Sequence, residues 1–208
     1  WESNKTMLYP LIKAAAETIM GPEAVGIADA SMGEILYEQN QKTKAMAALT
    51  KAYSAAELNG TIRVQYAVNG IMARLFQSEA QGDTAESILH NTAARASLQH
   101  YNELLPNIEA SLALCALLKN DGVAYTHWLQ NAAPDEHAEF YITERYRLMV
   151  KARVYTALGR ELEALFILGL LEQYARLYHR TYLQIESLTL KAISLSRRGE
   201  AWHSELLK

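Results

Sequence analysis

Small residues recur along this chain at a spacing close to forty, and this repetition constrains the fold more than any other feature. The five residues are separated by 40, 42, 37 and 40 positions and are Gly33, Ala73, Cys115, Ala152 and Ala192. A turn-forming break follows each of them, at Asn40-Gln41, Gln81-Gly82-Asp83, Asp121-Gly122, Gly159-Arg160 and Gly199-Glu200. A fixed period of this length is typical of an α-solenoid, in which one helix pair cannot bury its apolar face alone.

Between the breaks, apolar residues recur at helical spacing and predict antiparallel helix pairs. The predicted helices cover residues 4–20, 23–39, 43–58, 62–80, 83–105, 108–119, 123–131, 140–158, 161–179 and 182–198. Pro106 is predicted to end the second pair, and residues 132–139 around Pro134 are predicted to form an extended loop. No alternation typical of β-strands has a useful length, so we expect an all-α fold.

The fourth unit follows the tetratricopeptide pattern, with large residues flanking Ala152 in its first helix and Ala164, Leu168 and Leu171 in its second. Small residues where two helices cross let the backbones approach, and larger ones fill the grooves beside them. A repeat of about 40 residues predicts longer helices than the usual repeat of about 34. We therefore expect one domain over residues 1–208, a right-handed superhelix of tetratricopeptide-like helix-turn-helix repeats.

The charge balance indicates which partners this chain is suited to bind. The net charge is −3 and the pI is about 6.1, whereas neutralising phosphates requires clustered lysine and arginine. We therefore expect no direct contact with nucleic acid. No run of eighteen apolar residues and no signal peptide pattern is present, and we expect no membrane segment and a cytoplasmic location.

No constellation of residues in the sequence suggests catalysis or metal binding. The six histidines form no H-x-x-x-H or H-E-x-x-H pair, and the single cysteine, Cys115, has no second thiol with which to bind zinc. Asp135, Glu136 and Glu139 lie close to His137 but lack the spacing of a calcium loop. We expect no enzyme, no catalytic residue, no metal and no cofactor bound by this chain.

A ligand is expected on the concave surface that the first helices of the repeats would form. Candidate positions lie one and four residues after each small residue and six residues before it. They are Tyr37, Arg74, Gln77, Lys119, Tyr146, Arg153 and Thr156. Arginine donors and tyrosine rings suit a carboxylate, a phosphate or sugar hydroxyls. The alternative is that each arginine pairs with a glutamate of a neighbouring repeat and only stabilises the stack.

The order of several motifs resembles the helical-repeat domain of MalT-like regulators, the large ATP-dependent transcriptional activators of the LuxR type. The resemblance covers roughly residues 22–200. It rests on Gly33 to Asn40 with Ala45 and Leu49, Ala73-Arg74-Leu75, Leu118 to Gly122 with Trp128-Leu129, and Lys151 to Val154 with Leu158-Gly159-Arg160 and Ala164-Leu165.

The resemblance implies a sensor module within a three-part protein. An ATP-binding switch of the STAND class would precede it, and a DNA-binding helix-turn-helix would follow. In the family, a small-molecule inducer or a regulatory protein acts on the repeats, and ATP-dependent self-association activates transcription. The chain opens on Trp1 and stops at Lys208, so we expect a fragment that lacks both other parts. The alternative is a stand-alone tetratricopeptide scaffold that binds a peptide or protein.

Overall fold

The computed structural model of the chain describes residues 26–58, 61–138 and 142–202, together with positions 10–11, 14–15 and 18–19. In these ranges there are nine α-helices and no β-strand, which confirms the predicted all-α fold. The helices are α1 (Ile27–Glu38), α2 (Lys42–Leu58), α3 (Ile62–Ser78), α4 (Gly82–Leu98), α5 (Leu105–Leu118), α6 (Gly122–Asn131), α7 (Arg145–Ala157), α8 (Glu161–Leu177) and α9 (Thr181–Arg197). Short 3-10 helices at Asn102–Leu104 and Ile142–Glu144 precede α5 and α7. Most of the helix predicted over residues 4–20 lies outside the described residues.

The helices form two compact units that divide between Ile108 and Glu109. In the first unit α1 packs on α2 and α3, and α3 also packs on α2 and α4. In the second unit α8 packs on α7 and α9, α7 also packs on α9, and α6 packs on α7. Contact between the first helices of successive repeats, in addition to contact within each pair, lets helical repeats share a core. The single domain over residues 1–208 stays a prediction.

One turn geometry ends the first helix of all five repeats. The residues at this point have φ between 58° and 72° and are Asn40, Ala80, Asn120, Gly159 and Gly199. The residue after each donates its N–H to the carbonyl five residues back, over 2.8–3.0 Å. This bond defines the Schellman motif, which satisfies carbonyls that a helix end leaves without partners. Gly82 and Gly122, which the sequence placed in the breaks, instead begin α4 and α6.

The left-handed residues also set the register of the repeat. Seven residues before each of them lies a buried small residue, and the five are Gly33, Ala73, Ala113, Ala152 and Ala192. Their spacings are 40, 40, 39 and 40. The assignment of Cys115 to this position is therefore wrong by two residues, because α5 turns at Asn120, five residues after Cys115. Cys115 is buried as well, two residues after Ala113, which occupies the repeat position.

The second helices repeat a burial pattern of their own. Positions 5, 9, 12 and 16 after the left-handed residue are buried in α2, α4 and α8. They are Ala45, Leu49, Ala52 and Ala56, then Ala85, Leu89, Thr92 and Ala96, then Ala164, Leu168, Leu171 and Ala175. Spacings of three and four residues place these side chains on one face of a helix. In the third repeat α6 stops at Asn131, and Pro134 lies in the loop that follows, as the sequence predicts.

The largest difference between a predicted helix boundary and the structure lies at the end of α4. The helix expected over residues 83–105 ends at Leu98, because His100 adopts a left-handed conformation with φ 62°. Pro106 does not end a unit; it lies in the first turn of α5. Proline is well suited to a first turn, since its missing N–H would have no partner within the helix there.

Candidate functional site

Two of the predicted ligand-binding residues, Arg74 and Tyr37, meet in the first unit. The guanidinium of Arg74 on α3 lies 5.2 Å from the centre of the Tyr37 ring on α1. It also pairs with two glutamates of α1, at 2.8 Å from Oε1 of Glu34 and 3.4 Å from Oε1 of Glu38. We call Glu34, Tyr37, Glu38 and Arg74 the Arg74 cluster. It joins the first helices of two successive repeats.

The charges of the Arg74 cluster are partly exposed and sum to −1. Burial alone lowers the pKa of Arg74, but the carboxylates of Glu34 and Glu38 outweigh it and raise the pKa above its usual value. The guanidinium therefore stays charged. Its side chain is 30 % exposed, so solvent reaches the cluster. An incoming anion would have to displace the carboxylates of Glu34 and Glu38 from the guanidinium of Arg74.

Three other predicted residues lie on α7 in the second unit. Arg153 pairs with Glu186 of α9 at 2.5 Å, which again joins the first helices of successive repeats. The Tyr146 hydroxyl lies 3.0 Å from Oγ of Ser111 on α5. Thr156 is buried, and its hydroxyl donates to the carbonyl of Ala152 at 2.9 Å. Thr156 is therefore part of the helix contact and does not reach the surface.

Gln77 and Lys119 complete the predicted set. Gln77 is half-buried on α3, four residues after Ala73, and so occupies the position equivalent to Tyr37 and Thr156. Lys119 is exposed in the turn after α5. Its place in the set depended on Cys115; in the corrected register the equivalent position in α5 is Leu117. Lys119 is therefore not equivalent to the other candidates.

The ion pairs follow the alternative considered for the two arginines. Arg74 and Arg153 each contact glutamates of an adjacent repeat, and so does Arg95 of α4, whose guanidinium lies 3.4 Å from Oε1 of Glu57 on α2. Partly exposed ion pairs of this kind each contribute about 1 kcal/mol or less to the stability of the fold. Their repetition ties neighbouring repeats together at the surface. Ligand binding by Arg74 and Arg153 stays a prediction.

A more deeply buried polar cluster lies in the second unit and was not predicted. The ammonium of Lys151 on α7 forms an ion pair with Glu136, and the two side chains are 7 % and 12 % exposed. Lys151 also donates to the carbonyl of Pro134 at 2.6 Å. The Tyr155 hydroxyl donates to Oε1 of Glu136 at 2.8 Å, and the Arg160 guanidinium lies 4.4 Å from the centre of the Tyr155 ring.

These contacts shift two pKa values. Burial alone raises the pKa of Glu136, but hydrogen bonds from Lys151, its own backbone and Tyr155 outweigh it and lower the pKa to about 2. Burial and the hydrogen bond to Glu136 raise the pKa of Tyr155 to about 12. Glu136 is thus ionised and Tyr155 protonated at neutral pH. Both protonation states favour the hydrogen bond from the Tyr155 hydroxyl to the Glu136 carboxylate.

The sequence contains a signal for this cluster in the residue that precedes each small residue. The residue before the buried small residue is apolar in the first three repeats, as Met32, Met72 and Leu112. In the fourth and fifth repeats it is Lys151 and Lys191. A lysine at a position that is otherwise apolar predicts a buried partner, because an unpaired buried charge is strongly unfavourable.

The described residues include neither a cluster suited to a metal ion nor a helix suited to span a membrane. In those ranges, no three histidine, cysteine, aspartate or glutamate side chains are arranged to hold a metal ion. In the same part of the chain, no helix is long and apolar enough to cross a membrane.

The helix pairs, their common turn and the buried small residues define a helical repeat protein of the tetratricopeptide type. Residues 11–204 match the family described as the MalT-like TPR region, and the chain belongs to this family. The family prediction made from the sequence is therefore confirmed. Comparison with curated proteins and with solved structures finds no match.

Proposed function

We propose that this chain is the effector-sensing and protein-interaction region of a MalT-like transcriptional regulator in the cytoplasm. It would control ATP-dependent self-association and, through it, activation of transcription. The observation that carries the proposal is the family match over residues 11–204. Helical repeats of this type generally supply binding surfaces rather than catalytic groups.

The Arg74 cluster would supply a contact for the effector, which would be a small-molecule inducer or a regulatory protein. A carboxylate, phosphate or hydroxyl group of the effector would exchange with Glu34 and Glu38 at the guanidinium of Arg74. This exchange would alter the contact between α1 and α3, and so the coupling of two repeats. The effector shifts the protein toward assembly only by binding one of its states better than the other.

ATP and DNA would bind to other parts of the regulator. Gly-Lys occurs nowhere in the 208 residues, so this chain supplies no G-x-x-x-x-G-K-[ST] phosphate loop. The chain would thus transmit effector binding to an ATP-binding switch of the STAND class and to a helix-turn-helix of the LuxR type.

The reading frame that contains this chain gives the first test. A phosphate loop encoded upstream and a helix-turn-helix encoded downstream would support the regulator. A frame that encodes only helical repeats would overturn it and favour a stand-alone tetratricopeptide scaffold that binds a peptide or protein.

A reporter gene fused to the promoter of an adjacent operon gives the functional test. Deleting residues 26–202 from the full-length protein should abolish regulated expression. Arg74→Glu should change the response, whereas Arg95→Glu should leave it as in the wild type. Arg95 is the matched control because it also pairs with a glutamate of the adjacent repeat and is similarly exposed, but lies on a second helix.

A further inference from the structure

The third repeat differs from its neighbours in its second helix. The helix α6 has 10 residues, whereas α2, α4 and α8 each have 17. Sixteen residues after the left-handed residue, the other three repeats bury an alanine with no exposed surface, namely Ala56, Ala96 and Ala175. The corresponding position in the third repeat is Glu136, in the loop that replaces the last turns of the helix.

The residue that pairs with Glu136, Lys151, also differs from its equivalent in the second repeat. In the second repeat, Met72 packs against the apolar cluster that includes Ala56. Its equivalent in the fourth repeat is Lys151, whose ammonium pairs with Glu136. An ion pair thus replaces an apolar contact between these two repeats. Removing one partner of a buried ion pair is strongly destabilising, because the other charge is then left uncompensated.

Three side chains of α7 donate hydrogen bonds to acceptors in the loop that follows α6. Lys151 reaches the carboxylate of Glu136 and the carbonyl of Pro134, and Tyr155 donates to the same carboxylate. Arg147 donates to the carbonyl of Ala132 at 3.2 Å. Three side chains of α7 thus donate to one carboxylate and to two carbonyl groups of the loop that precedes it.

We propose that Lys151 and Tyr155 form a carboxylate-binding site, which the chain's own Glu136 fills as an internal ligand. An acidic segment of a partner protein can take the place of residues 132–136. This segment carries the sequence Ala-Ala-Pro-Asp-Glu. It also serves as a template for the ligand, which is a glutamate preceded at two and four residues by carbonyl groups that accept from Lys151 and Arg147. The site is independent of the proposed regulatory function.

A partner must compete for the site with Glu136, which the chain itself holds close to Lys151. A short linker gives Glu136 an effective concentration of the order of millimolar or more at its site. A single external carboxylate therefore binds poorly to the wild type, and a partner needs further contacts to displace the loop. Removing the carboxylate of Glu136 leaves the donors in place and opens the site to small probes.

The experiment uses the 208-residue chain with Glu136→Ala and two probes. The first is acetate, compared with chloride at equal ionic strength. The second is the peptide of residues 132–138, acetylated and amidated, compared with the same peptide carrying glutamine in place of Glu136. Because a ligand that binds only the folded state stabilises it, about 100 mM acetate should raise the Tm of Glu136→Ala by about 2–4 °C. The glutamate peptide should bind this variant at least about tenfold more tightly than the glutamine peptide does.

The controls separate the site from general effects of anions. The double variant Glu136→Ala with Lys151→Met should lose both responses, and it should fold because methionine occupies the equivalent position in the first two repeats. Glu163→Ala removes an exposed glutamate that pairs with Arg160, and acetate should not raise its Tm. If Glu136→Ala does not give the helical circular dichroism of the wild type, Glu136→Ser replaces it, because this short polar side chain also leaves the position of the carboxylate open. Equal responses to acetate and chloride, together with equal binding of the two peptides, would overturn the proposal.

Discussion

A methyl group added to Gly33 would lie 2.6 Å from both Cγ and Cδ2 of Leu49. Leu49 is fully buried, and its side chain fills the groove where α2 crosses α1. Only a residue without a Cβ lets the two backbones approach this closely. The first small residue of the repeat is thus glycine for a steric reason, whereas alanine suffices in the other four.

Gly33→Ala should destabilise the chain by about 1–3 kcal/mol, because overpacking in a closed core displaces its neighbours. The matched control is Gly70→Ala on α3, where an added methyl meets nothing within 4 Å. The control should stabilise by about 0.5–1 kcal/mol, since alanine has the higher helix propensity. Urea unfolding followed by circular dichroism measures both changes, and equal effects of the two substitutions would refute the steric explanation.

A double-mutant cycle isolates the same contact. Leu49→Ala alone should cost about 2–5 kcal/mol. In the Leu49→Ala background the added methyl of Gly33→Ala has room, so the double variant should be more stable than the sum of the single effects predicts. A coupling free energy below about 0.5 kcal/mol would show that the two residues act independently.

Ala80 ends α3 in the left-handed conformation, with φ 59°, without being glycine. Ala80→Gly should raise the free energy of unfolding by about 0.5–1 kcal/mol, because the left-handed region is unfavourable for residues with a Cβ. Gly159→Ala at the equivalent turn, where an added Cβ has open space, should lower it by a similar amount. If neither substitution changes the urea midpoint, the turns do not set stability.

Substitutions of Lys151 and Arg74 should lower stability by different amounts, because the Lys151 ion pair is buried and the Arg74 ion pairs are partly exposed. Lys151→Ala leaves Glu136 buried with its charge uncompensated and should cost about 3–5 kcal/mol. Arg74→Ala removes partly exposed ion pairs and should cost less than about 1 kcal/mol. Both values come from urea unfolding at neutral pH, and similar losses for the two variants would contradict the burial of the Lys151 pair.

Acid should weaken the chain through Glu136. The pKa of Glu136 in the folded protein is about 2, below its ordinary value of 4.5, so folding favours the ionised form. The stabilisation is fully present above pH 4.5 and is lost as the pH falls toward 2. The full shift corresponds to about 3 kcal/mol. The free energy of unfolding of Glu136→Gln should depend less on pH over this range than that of the wild type.

The sequence predicts the repeat because its signals recur. Small residues, breaks and the Ala-Leu spacing of the second helices each appear several times, so the helix pairs, the family and the loop around Pro134 follow from the pattern. The register of α5 does not follow from the pattern. Cys115 and Ala113 are both small, and the glycine of the break, Gly122, lies two residues after the turn at Asn120. The left-handed conformation of Ala80 accompanies the Schellman hydrogen bond from Gln81 to Phe76 and does not follow from the residue type.

The candidate site is predicted in part for the same reason. Position along the first helices placed Arg74 and Tyr37 in one candidate set, but the glutamate partners of Arg74 lie on the preceding repeat, and the sequence alone does not identify them. Lys151 differs from the apolar residues at its position in either register of the third repeat, but Glu136 aligns with Ala56, Ala96 and Ala175 only in the corrected register. Thr156 was expected at the surface and is buried, because the same helical position faces different neighbours in different repeats.

The most direct test of the proposed function is sedimentation velocity of the full-length protein with and without ATP. We predict that the wild type self-associates with ATP and that Arg74→Glu shifts this equilibrium, whereas Arg95→Glu sediments like the wild type. Self-association that is independent of ATP, or unchanged in Arg74→Glu, would contradict control of assembly through the first helices.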